Sequence, residues 1–93
     1  MADLDATLNE RGSRYGDFRD HAVLCVNLKE TMRCWHGWSN LEPYQQQALE
    51  TIMDKVARIL NGDPNYADNW HDIQGYAKLV EDRLPKALDN GHA

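Results

Sequence analysis

Ninety-three residues carrying ten lysines and arginines against fifteen aspartates and glutamates make a single small domain of formal net charge −5. That sign is wrong for a general nucleic-acid binder, which needs a basic face, so nucleic acid is not an expected partner. Apolar content is 42 % and mean hydropathy −0.72, with no run near the roughly 18 apolar residues of a membrane span.

The acidic start M-A-D-L-D-A-T-L lacks the basic segment of a signal peptide, and the expected location is cytoplasmic. A chain this short sits near the lower limit for a self-sufficient core, and pairing with a second copy is a natural way to bury more surface. Cys25 and Cys34 lie in one expected helix, roughly 13 Å apart at about 1.5 Å per residue, too far to bridge. Neither belongs to a ligand pattern, so reduced thiols are expected. His21, His36 and His92 show no ligand spacing, and zinc is not expected.

In chain order, Leu4 and Leu8 mark a short first helix over residues 3–10, stopped by Gly12. R-G-S-R-Y-G-D-F is a bend, and Asp17 is placed to cap the next helix. Leu24, Cys25, Leu28, Met32 and Trp35 recur at helical spacing. H-G-W-S-N-L-E-P breaks that helix, and Pro43 opens the third, about residues 42–60. There Leu49, Ile52, Val56, Ile59 and Leu60 share a face. N-G-D-P-N-Y is turn chemistry. A fourth helix starts near Ala67 or Asp68, with Ile73, Tyr76, Ala77, Val80 and Leu84 as its apolar stripe, and Pro85 forbids its regular continuation. The expectation is all-α: a compact bundle of about four helices, with residues 1–16 a short helix and bend, 17–84 the helical core and 85–93 a frayed tail.

The segment from Glu50 to Tyr76 carries the chemistry. Glu50 and Asp54 are four apart on the third helix, and Asp68 and Asp72 are four apart on the fourth. Opposed carboxylates on adjacent helices suit Mg²⁺, which is commonly held by a few acids plus substrate phosphates, and Lys55 and Arg58 would offset phosphate charge. Glu50, Asp54 and Arg58 form a stripe nearly opposite Ile52 and Val56. That stripe is expected to face water in a monomer and to become a pocket wall only when another subunit covers it. Asp68 is an alternative helix cap. Gly75, inside a helix, costs about 1 kcal/mol against alanine and calls for a close approach by a helix or ligand. Arg11, Arg14 and Arg19 around Tyr15 form either a phosphate site with a base stacked on the ring or a solvated bend.

The stretch A-L-E-T-I-M-D-K-V-A-R-I-L-N-G-D-P-N-Y-A-D-N-W-H-D-I-Q-G-Y-A-K-L-V, with the earlier E-R-G-S-R-Y-G-D-F, resembles a family of small phage and prophage proteins. That family is a domain of unknown function placed near the MazG-like all-α nucleotide pyrophosphatases. The resemblance implies a helical bundle, usually dimeric, that hydrolyses nucleoside triphosphates to monophosphate and pyrophosphate with Mg²⁺. The MazG-like E-E-x-x-E pattern falls on Gln46, Gln47 and Glu50, and E-x-x-D on Asn69 and Asp72. Two acids are retained and three positions are amides.

The expected function is binding of a nucleotide or related phosphate compound with Mg²⁺, extending to its hydrolysis. Glu50, Asp54, Asp68 and Asp72 would hold metal, with Glu50 and Asp72 catalytic, and Lys55, Arg58, Arg14 and Tyr15 would contact substrate. The alternative is a non-enzymatic acidic phage protein that binds and inhibits a host protein through the W-H-G-W-S-N loop and the helix faces.

Overall fold

The computed structural model describes residues 2–86, and these are helical with no strand among them. Four α-helices follow in order: α1 (Ala2–Tyr15), α2 (Phe18–Cys34), α3 (Pro43–Asn61) and α4 (Ala67–Glu81), with one 3₁₀ turn over Trp38–Asn40. The all-α expectation is met. Residues 87–93 of the expected tail lie outside the described residues.

The start signals act as their chemistry predicts. The Asp17 carboxylate accepts the backbone N–H of Asp20 at 3.1 Å, quenching one of the donors that a helix start leaves free. Pro43 occupies the first turn of α3, where a missing N–H costs nothing, and the Glu42 N–H donates to Gln45 Oε1 at 2.8 Å. One boundary differs. Helix α1 runs through Gly12 and ends at Tyr15, because Gly16, not Gly12, takes the left-handed conformation at φ 81°. A glycine held at helical angles only weakens a helix; one at positive φ ends it.

Helix α3 is the hub: α2 and α4 pack along it, and α1 touches it and α2. Among the described residues the buried apolar side chains are only Cys25, Ala48 and Ala57. The expected α3 face is correspondingly divided, with Ile52, Val56 and Ile59 half-buried and Leu49 and Leu60 exposed. The radius of gyration is 16.4 Å, against roughly 12 Å for a compact chain of this length. The expected compact bundle is therefore an elongated arrangement. Residues 3–13 of α1 are all exposed, so this helix is anchored through its last turn and projects from the rest.

Candidate functional site

The bend after α1 and the turn after α3 are built against each other. The backbone N–H of Asp63 donates to the Arg14 carbonyl at 2.6 Å. The Asn61 side-chain amide donates to the carbonyls of Tyr15 at 2.9 Å and Asp17 at 3.0 Å. A Cβ on Gly16 would collide with the Asn61 carbonyl, and one on Gly62 with the Arg14 carbonyl, so both sites require glycine. Arg14 Nη1 donates to the Tyr66 hydroxyl at 2.9 Å, its guanidinium lies 4.5 Å from that ring's centre, and the hydroxyl donates to Asp68 at 2.9 Å. The clamp holds the start of α2 beside the end of α3.

From that clamp a polar seam runs between α2 and α3. Four residues forward on α2 match four back on α3, the register of an antiparallel pair. Arg33 grips both oxygens of Glu50 at 2.8 and 3.0 Å. Lys29 meets Asp54 Oδ1 at 3.0 Å, and the Cys25 thiol donates to the same oxygen at 2.8 Å. His21 lies one turn further along, and Arg58 sits over the Tyr15 ring at 4.6 Å, within cation–π range.

The fields along the seam shift its groups. Hydrogen bonding from Arg33 holds the Glu50 carboxyl below its ordinary range, against the opposing effect of burial. Burial also works to raise Asp54, but hydrogen bonds from Cys25 and Lys29 and the charges of Lys29 and Arg58 outweigh it and the carboxyl is lowered. Burial, then the hydrogen bond to Asp54, pushes the Cys25 thiol up. Burial and then the charge of Arg58 lower His21.

Above the seam, between α1, the start of α2 and the end of α3, opens a cavity of about 580 Å³ lined by Leu8, Arg11, Tyr15, Phe18, His21 and Arg58 among others. Phe18 is 81 % exposed, with the His21 imidazole stacked at 6.5 Å. The cavity sets two arginines and one acid, Asp17, among aromatic side chains, a local excess of positive charge in an acidic protein.

The structure divides the residues expected to form one site. The stripe expected to face water in a monomer is split: α2 of the same chain covers Glu50 and Asp54, where Arg33 and Lys29 supply the matching charges, whereas Arg58 lines the cleft. Asp72 pairs with Lys55 at 3.1 Å on the α4 side of α3. Asp68 accepts from Tyr66 and does not cap α4, whose cap position is Tyr66. Of the substrate-contact residues, Arg58 and Tyr15 line the cleft, whereas Arg14 is turned into the clamp and Lys55 into its ion pair.

Glu50, Asp54, Asp68 and Asp72 do not fit a shared Mg²⁺ set. Three of them are already matched to a lysine or arginine, and no three carboxylates converge within 4.8 Å among the described residues. The group that does converge is His21, Cys25 and Asp54, so the absence of ligand spacing in the sequence did not preclude a ligand set in space. Asn69, where the resemblance places an acid, is 1 % exposed with its Nδ2 unpartnered. His71 is exposed on α4.

Lys29 and Arg33 are not among the expected site residues. Their signal is present: two cations four apart on α2 complement two acids four apart on α3, once the helices are set antiparallel. No protein-family model, curated protein or solved structure matches the chain.

Proposed function

We propose that this protein binds a nucleotide or related phosphate compound in the cleft between α1, α2 and α3. Arg58 and Arg11 meet the phosphate oxygens, and Tyr15 and Phe18 flank the base. One observation carries this reading. Lys29, Arg33, Lys55 and Arg14 each pair with a carboxylate, whereas Arg11 and Arg58 line one cavity and pair with none among the described residues. Unpaired guanidinium groups beside the exposed Phe18 ring and the half-buried Tyr15 ring suit a phosphate joined to a flat base.

In its fuller form the proposal is of a MazG-like, phage-type protein that works as a pair of copies and releases pyrophosphate from a nucleoside triphosphate. Pairing has support in eleven large apolar side chains that stay more than a third exposed. Hydrolysis draws none from the four acids, and no step is assigned to them. The test is a thermal-shift series with ATP, AMP and inorganic pyrophosphate, with and without Mg²⁺. A ligand that binds the folded state raises the melting temperature by an increment that grows with the logarithm of its concentration over its dissociation constant, and Arg58→Gln removes most of the increment. Melting unmoved by all of these at millimolar concentration overturns the reading. A pyrophosphate-release assay over the same nucleotides decides turnover.

A second reading has its own observation. At the opposite end of α2, Met32, Trp35, Trp38, Leu41 and Leu49 line an apolar groove of about 420 Å³, with Trp35 68 % exposed. A patch of that kind fits docking of a protein partner, which is the inhibitor hypothesis. It is the reading favoured if nucleotides leave melting unchanged.

A further inference from the structure

Beneath the cleft, three side chains of different chemistry converge where the sequence shows no metal pattern. His21 and Cys25 stand one turn apart on α2, and Asp54 faces them from α3; their donor atoms all lie within 4.8 Å of one another. Cys25 is buried. His21 Nδ1 is enclosed without any hydrogen-bond partner, a condition that buried ring nitrogens rarely tolerate.

We propose that His21, Cys25 and Asp54 form a site for a single divalent transition ion of the zinc type. The donor set selects the class: imidazole and thiolate favour Zn²⁺ and its borderline neighbours over Mg²⁺, which wants oxygen throughout. Three protein ligands with a fourth position left open is the pattern of a reactive rather than a closed structural zinc site. The fit is close. Bonds of roughly 2.0–2.3 Å set tetrahedral donors about 3.5 Å apart. Cys25 Sγ and Asp54 Oδ1, now 2.8 Å apart, separate by under about 1 Å, and the imidazole nitrogen already lies within 4.8 Å of both.

Binding forms a metal–sulfur bond while the Cys25 thiol releases its proton to solvent. The hydrogen bond from Cys25 to Asp54 is exchanged for two metal–ligand bonds. Lys29 is the built-in competitor: its ammonium meets Asp54 Oδ1 at 3.0 Å, and an entering cation displaces it. His21 also lines the cleft, so the fourth position is reached from that side, where the positive charge of Arg58 favours an anionic ligand. The metal site itself does not depend on the nucleotide reading.

The test uses Co²⁺ as a spectroscopic substitute for zinc, titrated into Cys34→Ser protein so that Cys25 is the only thiol. The expected result is near-ultraviolet thiolate-to-cobalt charge-transfer absorption that saturates at one equivalent and is abolished by added Zn²⁺. His21→Ala and Asp54→Asn in the same background weaken or lose it, and Lys29→Met tightens it by removing the competing ammonium. Adding Cys25→Ser removes the band. Circular dichroism establishes that this variant is folded, and His21→Ala, altered at the accessible cleft wall, keeps the inference testable if it is not. No charge-transfer band in the Cys34→Ser protein overturns the proposal, as does a band of unchanged intensity and midpoint in both His21→Ala and Asp54→Asn.

Discussion

The Asp63 N–H donates to the Arg14 carbonyl across 2.6 Å, and a methyl group on Gly62 would fall on that same carbonyl. Gly62→Ala therefore forces the two chain bends apart, taking the Arg14 and Asn61 hydrogen bonds with it. Gly16→Ala meets the Asn61 carbonyl and adds the strain of φ 81°. Each substitution is expected to cost about 3 kcal/mol or more, lowering the melting temperature by roughly 12 °C or more in a domain of this size. Gly12→Ala is the control. Nothing lies within 4 Å of its Cβ, and it gains about 0.5–1 kcal/mol of helix stability. Differential scanning calorimetry on the three variants checks the order.

Much of this architecture is legible in the residues. The Asp17 cap, the Pro43 start, the Asn61–Gly62 stop and the period of α2 and α3 are local, and local rules recover them. What escapes is pairing between elements. Glu50 and Asp54 read as a solvent-facing or subunit-covered stripe as long as α3 stands alone. Setting α2 against it in antiparallel register brings Arg33 to Glu50 and Lys29 to Asp54. The same step moves Cys25, four residues from Lys29, next to Asp54 and turns three unrelated letters into a cluster. Gly12 and Gly16 look alike in a sequence; only the approach of Asn61 decides which one ends the helix.

The Lys29–Asp54 pair lies in the seam with side-chain exposures of 21 % and 35 %. Asp54→Asn leaves the ammonium half-buried without its counter-charge and weakens the acceptor of the Cys25 thiol. The expected loss is about 1–2 kcal/mol, below the roughly 3–5 kcal/mol of a fully buried pair because water still reaches both groups. Adding Lys29→Met restores part of it. A double-mutant cycle by urea unfolding measures the coupling, and additive losses would show that the two charges do not support each other.

The shifts along the seam define how stability depends on pH. Asp54 and Glu50 have lowered carboxyls, so their contribution is complete above about pH 4, the unfolded range, and is lost as pH falls through their folded values. His21 is also lowered: its neutral form belongs to the fold, and its contribution is complete above about pH 6.5 and fades below it. Cys25 is raised, so its contribution is complete below about pH 8.5 and is lost as pH climbs through its folded value. Melting temperature against pH is expected to be flat from about 6.5 to 8.5 and to fall on both sides. Cys25→Ser removes the part of the alkaline fall due to the thiol, and His21→Gln removes the first step on the acid side. An unchanged profile in both variants contradicts the assignment.

Gly75 sits inside α4 with nothing within 4 Å of the place an alanine methyl would occupy, beside an open groove that includes His71, Lys78 and Leu84. The close approach expected from its sequence position is absent among the described residues. Gly75→Ala is accordingly expected to stabilise the isolated chain by about 0.5–1 kcal/mol. If two copies instead pack through α4 at Gly75, the substitution destabilises, and the loss grows with protein concentration. Melting at two widely spaced concentrations, with sedimentation of the same samples, separates these outcomes.

The two arginines nearest Tyr15 give opposite predictions for ligand binding. Arg58 lies over that ring at 4.6 Å and lines the cleft. Arg14 is engaged by Tyr66 and Glu10 at 2.9 and 3.2 Å. Arg58→Gln removes a charged hydrogen bond to phosphate worth about 1.5–3 kcal/mol, and the dissociation constant for a nucleotide is expected to rise roughly 10- to 100-fold. Arg14→Gln loosens the clamp and costs about 1 kcal/mol of stability, but leaves that constant within about threefold, since Arg14 does not line the cleft. Isothermal titration calorimetry at two salt concentrations reads both effects. Affinity should fall with added salt in the parent protein and fall less steeply in Arg58→Gln, because one fewer charge then engages the ligand. Equal losses in the two variants would contradict a phosphate held by Arg58 and not by Arg14.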